Sequence, residues 1–409
     1  MAYLSGTLSK RLSLVTLPLL GHDIRCCNSR PFYASRRRWS SQPEIGNARV
    51  AVLYQAVEPP IINGVRKPVK PGGYQDSGAD IAYTLRGKCN VGVITPVQYP
   101  DVAKDSGWCF PDTEDGILSA IDAGATHLWA NTIVFSSHPL QTSSVLERHQ
   151  NKVRVVGQPP NLVEKFDDKE YLNDLLRKKT DLPLPKAWTV NTKQDVASFI
   201  AKSDLPFPIV GKPIRGRGSH GVRVCQTPDI LHQHIVKLLK ESPIVMLEQF
   251  LAGEEATITV MPPSQGRIDY WAMPVVTRFG HADNVAPYNG VVAVTSNSRV
   301  ITEKEAERDN SYGTAAQQCE TVARLISATA PIRVDIRRFA NDAHSPFALF
   351  DINLKPNMTG PGRPGREDQA SLTAMAAAAL GWDYAMLLRN LLSTARSLKE
   401  MRAKQPIIS

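Results

Sequence analysis

The chain has 409 residues, 48 Lys and Arg, 39 Asp and Glu, and a formal net charge of +9. That is too long for one average domain and leaves enough sequence for two or three cores. No apolar run reaches the roughly 18 residues of a membrane-spanning helix, so no membrane partner is expected. The charge does not point to nucleic acid either. Lys10, Arg11, Arg25, Arg30, Arg36, Arg37 and Arg38 stand against Asp23 alone in residues 1–42, and the remainder of the chain is close to balanced with no aromatic-interleaved basic patch.

The leading segment 1–42 is rich in Arg and Ser and nearly free of acid, the composition of a mitochondrial presequence, with "RRRWSS" suited to processing near Trp39 to Ser41. It is expected to be disordered or cleaved; a cytoplasmic extension is the alternative. A secretory reading suffers because Leu12 to Leu20 is short and interrupted by Ser, Thr and Pro.

From there the elements alternate. "ARVAVLY" (Ala48–Tyr54) reads as a strand, "YQDSGADIAYTLRG" as a helix and "NVGVITP" as a second strand. "TEDGILSAIDAGA" is a helix capped by Thr113, and "THLWANTIVF" and "KVRVVGQPP" are further strands. The alternation predicts a parallel sheet with helical crossovers in a unit spanning 43–165. A second, α+β unit follows over 166–252, opening on a helix that Asp167 or Asp168 can cap. The third, 253–409, holds antiparallel strands, a helix "GTAAQQCETVARLISA" and two terminal helices. Cys89, Cys109, Cys225 and Cys319 show no C-x-x-C spacing, and the histidines form no H-E-x-x-H, so neither a disulfide framework nor a zinc site is expected.

Within the second unit, "VGKPIRGRGSHGVRV" carries Gly216, Gly218 and Gly221 in a G-x-G-x-x-G array. A dinucleotide fingerprint needs a helix after the glycines, and "VRVCQT" reads as a strand. A Walker A loop needs Lys and Ser/Thr after them, and Lys212 comes before. What remains is a glycine hairpin between antiparallel strands, with Lys212 on the incoming strand. Its backbone N–H groups can form an anion nest, with Ser219 and His220 near the tip.

The segment "IRVDIRRFANDAHSPFALFDIN" reads as a second hairpin. A turn centred on Ala343 sets Asp335 opposite Asp351 and Arg333 opposite Asn353, and directs Val334, Ile336, Phe350 and Ile352 to the core. Two acids and an amide on one sheet face suit a hard cation such as Mg²⁺, which travels with nucleotide phosphates. A third element, "EQFLAGEE", ends an apolar strand where backbone groups can read an adenine edge, with Glu255 a few residues on.

Together these parts resemble the ATP-grasp superfamily, and within it the D-alanine–D-alanine ligase-like group. The resemblance implies an α/β and α+β architecture of three units: an N-terminal parallel-sheet domain and two α+β units that sandwich ATP. It implies Lys169, in "DDKEYLNDLL", as a first ATP-binding lysine and Lys212 as the second, joined by Gly216, Gly218, Ser219 and Gly221 at the phosphates. Glu248, Gln249 and Leu251 would hold adenine and Glu255 the ribose. Asp335, Asp351 and Asn353 would bind one or two Mg²⁺ ions, or Mn²⁺, and Arg333, Lys212 and Ser219 would serve the reaction. The polar segment 278–300, with Arg278 and Tyr288, would lie on the acceptor side. Asp351 departs from the Glu usual in the family. Lys355, Arg363 and Arg366 replace small, mostly neutral residues, which suggests an anionic partner. Glu58, Glu114, Arg278, Lys355, Arg363 and Arg366 are the candidate substrate contacts. The implied activity is ATP-dependent, ADP-forming joining of a carboxylate, such as an amino acid's, to an amine through an acylphosphate, in a chain that forms homodimers in related ligases. The alternatives are a non-catalytic ATP-binding regulatory module and a small-molecule kinase.

Overall fold

A computed structural model describes residues 45–216, 218–264, 266–281 and 294–409. The proposed presequence (1–42) and Tyr288 lie outside these residues.

Strand Arg49–Tyr54 is the centre of the first sheet, and Val50, Ala51, Val52 and Leu53 have no exposed surface. Both faces of a parallel strand must be covered, and its apolar run is therefore continuous rather than alternating. Val50 and Val52 pack with Ala79, Ile81 and Leu85 of helix Gln75–Lys88, while Ala51 and Leu53 pack with Ile117 and Ala120 of helix Glu114–Asp122. Parallel neighbours are Gly92–Ile94 on one side and His127–Asn131, then Arg154–Val156, on the other. Thr113 caps helix Glu114–Asp122 by accepting from the Gly116 N–H at 3.2 Å. Burial and the nearby Arg154 charge hold the His127 imidazole down at about 4. The unfolded chain binds that proton near pH 6.5, so this contribution is complete above pH 6.5 and lost as pH falls towards 4. Denaturant unfolding at stepped pH should show that loss, and His127→Gln should flatten it.

The middle sheet is antiparallel, in the order Arg223–Cys225, Ile209–Pro213, Ile244–Gln249, Ala187–Asn191. It closes over a core of its own that includes Val190, Ile209, Leu231, Ile235, Val245 and Leu247. Ala187–Asn191 is an edge strand, held by antiparallel pairing with Ile244–Gln249. Asp168 caps the preceding helix, Lys169–Lys179, accepting from the Tyr171 N–H at 3.1 Å.

The third sheet runs Ser298–Val300, Val276–Arg278, Glu255–Met261, Ile332–Arg338, Phe347–Asn353. Ala256, Ile258 and Val260 face the core beneath helix Ser311–Leu325, whose Ala315, Cys319 and Val322 are buried. Cys89, Cys109, Cys225 and Cys319 are free and buried, and burial pushes the Cys89 thiol up to about 11, which leaves it unreactive.

The end of the chain returns to the first sheet instead of staying with the third. Strand Arg396–Ser397 pairs antiparallel with Arg154–Val156 and covers an edge that would otherwise be open. The turn after Phe347–Asn353 is braced the same way. Asp80, on helix Gln75–Lys88, has no exposed surface and accepts from Arg363 Nε at 2.9 Å and Arg366 Nε at 2.9 Å; Arg363 also reaches Asp105 at 2.5 Å. Gly362 permits this approach, since a Cβ there would lie 2.7 Å from the Asp80 Cβ. Arg363 and Arg366, expected from sequence to contact substrate, brace this turn and line neither of the two cavities described below. Replacing both by Met strands a buried carboxylate and should cost about 3–5 kcal/mol in urea unfolding. Adding Asp80→Asn should restore much of it.

Candidate active site

Period-two alternation aims the middle sheet at a cleft. On Ile209–Pro213, Ile209 enters the core and Gly211 packs under His234, leaving Val210 and Lys212 on the opposite face. On Ile244–Gln249, Val245 and Leu247 enter the core, leaving Glu248 beside them. Lys212 pairs with Met246 in register and Glu248 with Val210, so Lys212 and Glu248 are diagonal neighbours on one face. Their charges meet at 2.6 Å, both side chains being nearly inaccessible. Asn173 Nδ2 donates to the other Glu248 oxygen at 3.3 Å.

The glycine array is a hairpin loop between Ile209–Pro213 and Arg223–Cys225, with no helix after it. Gly218, Ser219 and Gly221 have φ of 59°, 58° and 70°. Such left-handed backbone costs an L side chain about 1–2 kcal/mol, and it turns successive N–H groups inward. Gly216, Gly218 and Ser219 line the cleft, whereas Gly221 closes the loop against Leu238 and Pro213.

Across the cleft the third sheet supplies the acids. Arg333 stands opposite Asn353 and Asp335 opposite Asp351, the register that alternation requires. Beyond Asp335 the pairing slips by one residue through a β-bulge, so Ile336 meets Leu349 and Phe350 is the extra residue. Phe350, expected in the core, therefore lines the cleft beside Asp351. Its ring lies 6.0 Å from Lys212 Nζ, which donates to the Phe350 carbonyl at 3.3 Å.

Asp335 accepts from Arg333 Nε at 2.9 Å and Nη2 at 3.0 Å, and from Thr257 Oγ1 at 2.6 Å. Lys169, first residue of its helix, bonds Asp351. Burial pushes the Asp351 carboxyl upward, but Lys169, Lys212 and Arg333 outweigh it and hold the group well below the usual carboxylate range. Burial pulls Lys169 down and Asp351 more than compensates, so the lysine is fully charged. Glu255 is buried among His281 at 2.9 Å, Arg278 at 3.6 Å and Arg337 at 3.7 Å.

These residues border two adjoining cavities. The first lies between the middle and third sheets. Val210, Val224, Phe250 and Leu251 form its apolar end; Lys169, Lys212, the glycine loop, Asp335 and Asp351 form its polar end. The second cavity continues past the hairpin to Tyr74, Asn353 and Lys355. Lys169, Gly216, Gly218, Ser219, Arg278, Asp335 and Asp351 border both.

Asp335 and Asp351 fit a hard divalent cation, being ionisable oxygen donors on directly paired positions. Asn353 adds an amide oxygen two residues along, although that oxygen also accepts from the Lys355 N–H at 3.1 Å. Among the described residues no group of three His, Cys, Asp or Glu gathers to hold a metal, so a site here draws its third protein donor from the amide.

The family model described as the D-ala D-ala ligase C-terminus matches residues 176–393, more than half of the chain. The chain belongs to the D-Ala–D-Ala ligase family. It is 25% identical over 213 residues to the D-alanine–D-alanine ligase of Bacillus anthracis, covering 52% of this chain and 62% of that protein. With the enzyme of Chromohalobacter salexigens it shares 26% over 227 residues, 56% of this chain and 64% of the relative. The matched sequence thus spans less than two thirds of these relatives' length. The fold extends further. The crystal structure of the B. anthracis ligase complexed with ATP superposes with a TM-score of 0.58 at 18% identity, covering 87% of this chain and 99% of that one. The VanG D-Ala:D-Ser ligase of Enterococcus faecalis superposes with 0.55 at 12%, covering 85% and 98%. The architecture is the three-unit ATP-grasp fold.

Set against that family, the expected site residues divide. Lys169, Lys212, Gly216, Gly218, Ser219, Glu248, Gln249, Leu251, Glu255, Arg278, Asp335 and Asp351 gather at the first cavity; Arg333, Asn353 and Lys355 border the second. Glu58 does not join them: its carboxylate is 76% exposed and paired with Arg66. Nor does Glu114, which sits in the first turn of its helix, where a negative charge offsets the helix dipole. Sequence reasoning missed Arg337, although it continues the 333, 335 alternation. It also missed His281, and Lys67, Lys70 and Tyr74, which stand in a Pro/Gly-rich loop and its 3-10 turn with no periodic signal.

Proposed function

We propose that the chain is an ATP- and Mg²⁺-dependent ligase that joins a carboxylate, such as an amino acid's, to an amine. The observation that carries this is the junction of the two cavities at Lys169, Ser219, Asp335 and Asp351. A nucleotide seated between the sheets has its terminal phosphate at that junction, facing whatever occupies the second cavity.

In this reading Phe250, Leu251 and Val210 enclose adenine, Glu255 faces the ribose, and Lys169 and Lys212 bind phosphate oxygens. To do so the two lysines exchange Asp351 and Glu248 for phosphate. The substrate carboxylate oxygen attacks the γ-phosphorus, the bond to the β-γ bridging oxygen breaks, and ADP leaves. The amine nitrogen then attacks the acylphosphate carbon, loses a proton and expels phosphate, leaving an amide. Phosphoryl transfer needs mainly positioning and charge neutralisation. Arg333 and the N–H groups of the glycine loop supply both beside the transferring group. Asp335, Asp351 and Asn353 would hold Mg²⁺, or Mn²⁺, whose charge neutralises phosphate oxygens. Closing the loop over the junction excludes water that would hydrolyse the acylphosphate.

The test is ADP formation from ATP across a panel of amino acids and small carboxylates, with mass spectrometry of any product. An amide mass is expected. A phosphoester would assign a kinase, and ATP binding without stimulated turnover would assign a regulatory module. The Arg-rich composition of residues 1–42 supports a mitochondrial location, which imaging of the full chain fused to a fluorescent reporter would test.

A further inference from the structure

Past the two cavities of the proposed reaction lies a third, which shares Ile133, Val163, Leu354 and Lys355 with the second. It sits beyond the carboxyl ends of the parallel strands His127–Asn131 and Arg154–Val156, where open α/β sheets take their ligands. The chain leaving the Asp335–Asp351 hairpin closes it, since Leu354, Pro356 and Met358 follow strand Phe347–Asn353 directly. The third cavity is thus a side chamber of the second.

Its wall is apolar. Ile133, Val134, Val156, Leu354, Met358 and Leu391 are each 9% exposed or less. The polar side chains among them are engaged with the protein itself. Asn131 Nδ2 donates to the Tyr74 carbonyl at 2.9 Å and to Ser77 Oγ at 3.0 Å, and Thr132 Oγ1 donates to Asp112 at 2.6 Å. Gln158 donates to the Ala330 carbonyl at 2.7 Å and accepts from the Thr329 N–H at 3.0 Å. Lys355 borders both cavities, and its ammonium lies 3.3 Å from the centroid of the Tyr74 ring, which lines the second. A polar group entering the chamber would give up water for side chains already in use, whereas an apolar group gives up nothing. The chamber offers about 50 Å³ to the centres of water-sized groups. One such group needs about 10–15 Å³, so about three to five fit. That is the size of a branched aliphatic side chain, not of a methyl.

We infer that this side chamber receives the side chain of an amino acid held in the second cavity, so that the amino acid used is branched and aliphatic, of valine or leucine size. The inference rests on the ligase reading of the cleft, which places an amino acid in the second cavity; the chamber decides what that amino acid carries. Each methylene buried on entry strengthens binding roughly fourfold, so two or three of them separate valine and leucine from alanine.

The test compares alanine, 2-aminobutyrate, valine, leucine and threonine, in both stereochemistries. Binding is measured by calorimetry on the full chain saturated with Mg²⁺ and a non-hydrolysable ATP analogue, alongside ADP formation with ATP. Valine or leucine should bind about 10-fold or more tightly than alanine in one stereochemistry. Threonine, which has the shape of valine with a hydroxyl, should bind about fivefold or more weakly than valine. Val134 lines the chamber and not the second cavity, so its size can be changed without touching the reaction. Val134→Ala should move the preference from valine towards leucine. Val134→Phe should bring valine and leucine down to the level of alanine, with alanine itself changed by no more than about twofold. If Val134→Phe does not melt cooperatively, Val134→Ala carries the comparison. Alanine binding as tightly as valine and leucine, none of them binding, or a preference that neither Val134 change moves would overturn the inference. Selective binding of valine or leucine without ADP formation supports the chamber while removing the ligase reading. ADP formation driven best by alanine does the reverse.

Discussion

Lys212→Ala should lower kcat/KM for ATP by at least ~100-fold, the scale on which a single charge-stabilising donor acts in a transition state. The same substitution should also destabilise the chain by about 3–5 kcal/mol, because it strands the buried Glu248 carboxylate that Lys212 holds at 2.6 Å. The two effects are separable. In Lys212→Ala/Glu248→Gln the stranded charge is gone, and the neutral amide keeps the Asn173 contact. Stability measured by urea unfolding should largely return, while ADP formation should not. If the double variant recovered turnover, Lys212 would be a partner for Glu248 and nothing more. The cycle suits this site because the lysine is nearly inaccessible and its nearest carboxylate belongs to the nucleotide-facing wall.

Asp335→Asn should raise the Mg²⁺ concentration for half-maximal turnover at least 10-fold and lower the maximal rate by ~100-fold. The amide keeps the shape and can still accept from Thr257, which now donates at 2.6 Å, but it removes the charge that a hard cation needs. It also ends the charge-assisted pair with Arg333. A readout independent of turnover is the spectroscopic titration of Mn²⁺ in the presence of the ATP analogue, where affinity should fall in parallel. Unchanged Mg²⁺ dependence and unchanged Mn²⁺ affinity would remove the hairpin as the metal site.

The pairing of Asp335 with Asp351 and Arg333 with Asn353 was legible because both strands alternate apolar and polar residues around a short turn, and a slip of one residue would have buried the charges. The glycine hairpin was legible for a similar reason: β-branched Val222 and Val224 after the array forbade reading a helix there. Phe350 was not legible. The bulge that turns it into the cleft depends on an irregularity in hydrogen bonding that leaves no mark on the residue types. Glu248 was legible as a strand-end acid, while its pairing with Lys212 needed the register between two strands more than 30 residues apart.

What the sequence determined alone was local and periodic: the alternating units, the capped helices, the two hairpins and the faces on which Lys212, Asp335 and Asp351 stand. These follow from sterics and burial within a few residues of each position. What only the tertiary structure decided was which of several similar cations faces the cleft. Arg363 and Arg366, basic in a Gly/Pro-rich stretch, looked like substrate contacts, yet Asp80, 283 positions before Arg363, takes both. Lys67 and Lys70, equally basic in an equally irregular loop, line the cavity instead. A charge acquires its role from the partner that reaches it, and that partner is set by chain crossings whose length no local pattern records.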